Sequence, residues 1–360
     1  MNWTKPKGHS KEKVNSAGEI LADEHNSLAE KDEAIEILSN WRACHSYPLH
    51  VFKIRLKRAS KNVDKTSLTA QRLKRVPSII KKLKRRYHGK PATMKLSQMQ
   101  DIAGCRAIMS DVSLARKLFE KHYLKGDLKH KRVGIKNYID NPKDDGYRSI
   151  HAIYKFFSDK GKKEYNGLLV EIQIRSKLQH LWATAIETVD FFTRQAIKSN
   201  EGQEEWMDFF KLLSSAFAGI EKCPIVPNTP TNKKELYSMI KEKERELNVI
   251  AKMKGWAEGI RVFEEASKSS VNLQYFLLEL DVRAIEQNRS QINVTAYTKD
   301  SEQLAIADYL LSEKQNLGKK EHDVVLVGAD NVSELKKAYP NYFVDSTEFL
   351  IVLEKILKKY

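Results

Sequence analysis

Apolar residues recur at helical spacing at Ala34, Ile35, Leu38 and Trp41, which predicts a helix. A second set, Leu49, Phe52, Ile54 and Leu56, follows Pro48, and that proline is expected to kink or divide the two segments. Residues 1–25 are polar and read as a flexible N-terminal tail. A Lys/Arg-rich helix is expected over 76–87, opened by Pro77 and Ser78. Residues 101–110, 133–140, 149–157 and 168–175 carry β-type patterns. In LLVEIQIR, alternation puts Ile172 and Ile174 on one face and Glu171, Gln173 and Arg175 on the other. One strand thus presents a carboxylate, an amide and a guanidinium together. Residues 176–198 read as a helix in which Trp182 is a core residue.

Residues 203–222 and 233–266 are again helical. The segment KCPIVPNTPTN at 222–232 separates them and reads as a hinge because of its three prolines. Beyond a break near Ser267–Val271, the patterns run strand, strand, helix, strand, helix. The expected division is a tail (1–25), a sheet domain with N-terminal helices (26–200), a helical connector (201–270) and a small C-terminal ββαβα-type domain (271–360). Strands alternating with helices indicate an α/β or α+β sheet.

The apolar fraction of 41% excludes wholesale disorder. The first twenty residues hold no apolar core of a signal peptide, and no stretch approaches the roughly 18–20 apolar residues of a membrane span. A cytoplasmic protein with no membrane partner is expected. Cys44, Cys105 and Cys223 form no CxxC pair and read as buried free thiols, so no zinc is expected. The net charge of +16 is unevenly placed. Residues 1–200 hold 41 Lys+Arg against 21 Asp+Glu, residues 201–360 hold 22 against 26, and residues 51–100 hold 16 against 1. A basic block beside an acidic remainder points to a polyanion site and to a second part that answers it.

The sequence has no GxxxxGK[ST] loop, so phosphate binding falls to side chains. Four segments fit one reaction. In RLKRVPSIIKKLKR (72–85), Arg72 and Lys74 precede a helix start, and Ser78, Lys82 and Arg85 are expected on one helical face. In DIAGCR (101–106), Asp101 is a candidate Mg²⁺ ligand beside strong cations, and Arg106 follows it. NPKDDGYRSIH (141–151) is a turn leading into a strand that places Tyr147, Ser149 and His151 on one face. The fourth is EIQIR (171–175). Asp101 and Glu171 together could hold one Mg²⁺.

In this order the segments resemble the synthetase domain of RelA/SpoT proteins and small alarmone synthetases, whose pattern is RxKxxxSIxxKxxR, DxxGxR, NPKxxGYRSxH, EIQxR. The resemblance covers about 130 residues and departs at Asp145, where many members carry Asn. It implies an α+β, nucleotidyltransferase-like mixed sheet and a pyrophosphokinase using ATP and Mg²⁺. It implies Arg72 and Arg106 around the adenine, and Lys74, Ser78, Lys82 and Arg85 on the phosphates. It implies Asp101 and Glu171 on the metal, with Glu171 or Gln173 near the attacking hydroxyl. Tyr147 would stack the acceptor base, and His151 and Arg175 would contact acceptor phosphates. No HD dipeptide occurs in the N-terminal region, so synthesis without hydrolysis is expected.

Family members pyrophosphorylate GDP or GTP, or the 3′ CCA end of tRNA. The basic half, with Lys129, Lys131, Arg132 and Lys136 before the loop, directs the expectation to tRNA. Tyr339 and Tyr342 form a YxxY pair in the tail. With WRACHSYPL at 41–49, the layout resembles CapRel, a class of fused toxin–antitoxin defence proteins. That resemblance implies a pseudo-zinc-finger-like C-terminal domain, blockage of the adenine site by the YxxY tyrosines, and release by a phage capsid protein. A monomer is expected. The non-enzymatic alternative is an RNA-binding or sensor scaffold.

Overall fold

The structure is a computed structural model describing residues 3–87, 90–91, 93–193, 204–247, 249–250, 253, 273–281, 291–316, 322–328 and 347–359. Helix α1 (Lys11–Ala22) starts at Ser10, whose hydroxyl accepts from the Lys13 N–H. Val14, Ala17 and Leu21 recur at i, i+3 and i+7 and are buried with residues of α2 (Leu28–Cys44) and α4 (Val76–Leu83). The expectation of a tail over 1–25 is therefore corrected: a short apolar stripe within a polar stretch suffices for a docked helix. A capping box between Ser27 and Glu30 opens α2. Only His45 separates α2 from α3 (Ser46–Val63), and Pro48 sits in the first turn of α3, where its missing N–H costs nothing.

The strands are β1 (Leu68–Leu73), β2 (Arg86–Tyr87), β3 (Lys90–Pro91), β4 (Ala103–Met109), β5 (Lys131–Asn137), β6 (Ile150–Lys155), β7 (Leu169–Ser176), β8 (Leu273–Asp281), β9 (Gln291–Thr298) and β10 (His322–Gly328). β2 and β3 pair with each other, and the rest form one sheet ordered β5-β6-β7-β4-β1-β10-β8-β9. β4 and β7 are parallel and the other neighbours antiparallel. The fold is mixed α+β. The C-terminal strands extend the same sheet, because β10 pairs with the edge of β1 at Gln71↔Gly328 and Arg72↔Val327. An unpaired edge carries a row of free backbone donors and acceptors, and β10 satisfies part of that row.

Register builds the site. Arg72 lies opposite Gly104, and Gly104 opposite Glu171. Arg106 lies opposite Gln173, and Gln173 opposite His151. These two rows are two residues apart on each shared strand and therefore project from one face. On the other face, Ala103, Cys105, Ala107, Ile172 and Ile174 are buried with Phe52 and Leu56 of α3 and with Ala115 and Leu118 of α5 (Val112–Phe119).

Helix α6 (Lys177–Thr193) leaves β7 directly. It shares a core with α7 (Glu204–Glu221), α8 (Lys233–Leu247) and α10 (Thr347–Leu357), built on Trp182, Ile186, Phe210, Phe217, Ile240, Phe349 and Leu353. Helix α9 (Glu302–Gln315) packs Ala305, Ile306 and Tyr309 on Tyr275, Leu277, Val324 and Leu326. The expected domain limits at 200/201 and 270/271 lie outside the described residues, as do Tyr339 and Tyr342. Among the described residues no helix is long and apolar enough to cross a membrane. The three cysteines are buried free thiols.

Candidate active site

The two rows floor a cavity of about 210 Å³. Arg72, Arg106, Tyr147, His151, Gln173 and Arg175 line it, and Trp182 with Phe210 closes one wall. Trp182 is both core and wall: it is buried, and its indole N–H donates to the Phe210 carbonyl at 2.7 Å.

A hydrogen-bonded chain joins the acceptor loop to β7. The Tyr147 hydroxyl lies 2.8 Å from His151 Nε2, and His151 Nδ1 lies 2.9 Å from Glu171 Oε1. The Gln173 amide donates to Glu171 Oε2 at 2.7 Å. The Arg175 guanidinium donates to the Tyr147 hydroxyl at 3.0 Å and to Gln173 Oε1 at 2.9 Å. Lys143 Nζ stands 5.2 Å from the Tyr147 ring centre, and the Tyr138 ring meets Tyr147 and His151 edge-on.

Burial opposes ionisation of Tyr147, but the charges of Arg175 and His151 outweigh it and bring the phenol down to about 8. Burial also opposes charging of His151, yet Tyr147 and Glu171 lift it to about 9. For Glu171, burial favours the neutral acid, and the bond and charge of His151 reverse that to a lowered value. The cluster therefore favours a carboxylate beside a cationic imidazole, with the phenol drawn toward ionisation. Because the folded-state value of His151 lies above its ordinary 6.5, its stabilising contribution is complete below pH 6.5 and is lost as pH rises through about 9. Tyr147→Phe should lower the imidazole value, measured by NMR titration, while Glu171 keeps it above 6.5. An unchanged value would remove the phenol from the cluster.

A second group lies along α4, from Lys74 before its start to Lys82 in its last turn. Asp101 accepts from Lys74 Nζ at 3.1 Å and from Lys82 Nζ at 2.9 Å. Burial disfavours its charge, but the two ammonium groups hold it well below the usual carboxylate range. Asp101 in turn raises the proton affinity of Glu171, which places the two carboxylates in each other's field. Ser78 is half-buried on α4, one turn before Lys82. Arg85 departs from expectation: α4 ends at Leu83, so Arg85 is exposed beyond the helix and does not share the face of Ser78 and Lys82.

Three further expected acceptor residues are not brought to the cavity, because β5, which starts at Lys131, is an outer strand two positions from β7. Lys129 pairs with Asp159 at 3.4 Å, and Arg132 donates to the Tyr123 and Leu124 carbonyls. Lys131 is exposed at the start of β5. At Asp145 a side-chain oxygen accepts the Tyr147 N–H at 2.8 Å, an Asx turn that Asn would form equally well.

Opposed cations and carboxylates around a small cavity suit phosphoryl-type transfer to a hydroxyl. Residues 71–191 match the family model described as the region found in RelA / SpoT proteins. The chain is 32% identical over 122 residues to GTP pyrophosphokinase YjbM of Bacillus subtilis, covering 33% of this chain and 54% of that protein. It is 35% identical over 120 residues to GTP pyrophosphokinase YwaC of the same organism, covering 32% and 54%. The chain thus spans about half the length of the curated relatives it matches. The crystal structure of small alarmone synthetase 1 from Bacillus subtilis bound to its product pppGpp aligns at TM-score 0.42 and 24% identity, covering 50% of this chain and 90% of that one.

Proposed function

We propose that the chain is a pyrophosphokinase of the RelA/SpoT type that moves the pyrophosphate of ATP to a ribose hydroxyl of GDP or GTP. The joined Tyr147–His151–Glu171–Gln173–Arg175 cluster, whose Tyr147, His151, Gln173 and Arg175 line one cavity with Arg72 and Arg106, carries this reading. The names of the two relatives support the guanine-nucleotide acceptor. So does the small cavity, whose lining lacks Lys129, Lys131 and Arg132.

Arg72 and Arg106 receive the adenine, and Lys74, Ser78 and Lys82 receive the phosphates. Tyr147 offers a ring face to the acceptor base, worth about 1–3 kcal/mol. His151 and Arg175 present positive charge to acceptor phosphates. Glu171 is the ionised group that takes the ribose hydroxyl proton, with Gln173 beside it. The freed oxygen bonds to the β-phosphorus of ATP, the bond from that phosphorus to the α–β bridging oxygen breaks, and AMP leaves with the electron pair. Asp101 and Glu171 supply the hard oxygens that Mg²⁺ prefers, one or two carboxylates being its usual protein share. Bound magnesium supplies charge neutralisation on the phosphates.

A second reading takes the 3′ end of tRNA as acceptor, with residues 271–360 as a control element released by a phage protein. The charge split supports it, as does the pairing of β10 with β1 at Arg72. ATP labelled in the β-phosphate, offered with GDP, GTP or bulk tRNA, separates the readings. Label on GDP or GTP is expected. Label on tRNA alone selects the second reading, and label on neither, with RNA retained, selects a binding scaffold.

A further inference from the structure

We propose that Ser214, on α7 and outside the matched family region, is a positioning residue for the acceptor: its hydroxyl straps the loop that carries Tyr147. The inference rests on the reading of Tyr147 as the acceptor contact. Ser214 Oγ donates to the Gly146 carbonyl at 2.6 Å and accepts from Arg148 Nε at 3.0 Å. One hydroxyl therefore holds the residues on both sides of Tyr147. Ser214 is 1% exposed and Arg148 3%, so water does not compete for these bonds. Arg148 is anchored further by a bond of 3.3 Å to the Ile139 carbonyl.

The contact is also steric. Gly146 has φ of +90°, and a Cβ there would stand 2.8 Å from Ser214 Cβ and 3.0 Å from Trp182 Cζ2. Loop and helix thus meet with no space for a side chain between them. The same helix sends Met207 and Phe210 to the cavity wall. A shift of α7 therefore moves the wall and the Tyr147 ring together, and stacking on a base depends on where that ring stands.

Ser215 provides the internal control. It is equally buried on the same helix, but its hydroxyl bonds Thr229 Oγ1 at 2.7 Å and the Val226 N–H at 3.0 Å, away from the loop. In the full chain, Ser214→Ala should raise the acceptor KM about tenfold, with the ATP KM within about twofold of wild type. Amide hydrogen exchange over residues 143–149 should quicken about tenfold. Ser215→Ala should leave both readouts at wild type. Unchanged exchange and unchanged acceptor KM in Ser214→Ala would overturn the proposal. So would the same change in Ser215→Ala, which would show general loosening of α7. A wild type that labels no acceptor, with loop exchange quickened in Ser214→Ala alone, would overturn the functional reading and leave the strap standing.

Discussion

Arg42→Ala is expected to destabilise the folded chain by about 3–5 kcal/mol, the cost of removing one partner of a buried ion pair. Arg42 is fully buried on α2, and its NH1 lies 3.1 Å from Oε2 of Glu313 on α9. The guanidinium stacks 4.2 Å from the centre of the Tyr309 ring. Its Nε donates to the Lys74 carbonyl at 2.7 Å. Glu313 Oε1 accepts from the Tyr309 hydroxyl at 2.9 Å and from the Val76 N–H, the first residue of α4. Truncating Arg42 removes the guanidinium paired with that buried carboxylate. The pair also ties a C-terminal helix to the turn that carries Lys74. Charge holds the Arg42–Glu313 contact without a well-aligned hydrogen bond, so its net worth over an apolar pair is small. The double replacement Arg42→Met, Glu313→Met should therefore recover much of the loss. Urea unfolding midpoints at constant m measure both. A loss below about 1 kcal/mol for Arg42→Ala, the range of an exposed pair, would sink the idea.

The same pair marks where sequence reasoning stops. Arg42 and Glu313 are 271 positions apart, and neither belongs to a local pattern that predicts burial. The β7 face is legible because alternation fixes which residues share a side, and Glu171, Gln173 and Arg175 do join there. The row partners Arg72, Gly104, Arg106 and His151 need strand order and register, which spacing along the chain does not contain. Arg85 is misplaced by helical spacing because that spacing holds only to Leu83, where the helix ends. Lys129, Lys131 and Arg132 follow from the charge count, and charge alone does not say whether a strand is central or outer. Tyr138 and Ser214 escape the sequence reading, and Lys143 and Arg148, though letters of the NPKxxGYRSxH pattern, receive no role in it. Tyr138, Lys143 and Arg148 lie in or beside the loop motif, in NYID and NPKDDGYRS, and closeness to Tyr147 along the chain is the signal that points to them. Ser214 carries no such signal, being one of two adjacent serines among the apolar residues of α7.

Glu171→Gln should lower the rate of label transfer by about 10²–10⁴, the usual contribution of a positioned base. The amide keeps the shape of the carboxylate, but only its oxygen accepts, so it keeps one of the two bonds, from Gln173 at 2.7 Å or from His151 at 2.9 Å, and meets the other donor with an N–H. What it lacks is the charge that takes the ribose proton. On the proposed roles the loss should fall mainly on kcat, because Lys74, Lys82, Arg72 and Arg106 would still bind ATP, with a smaller rise in the ATP KM from the lost Mg²⁺ ligand. His151 supplies an independent check. Its raised value depends in part on the Glu171 charge, so the imidazole in Glu171→Gln should titrate lower than about 9. A variant that keeps more than about a tenth of the rate would place the base elsewhere. If the rate falls while the His151 titration stays near 9, the two residues are not coupled in solution, and the Tyr147–His151–Glu171 chain would not be the device that holds the acceptor against the donor.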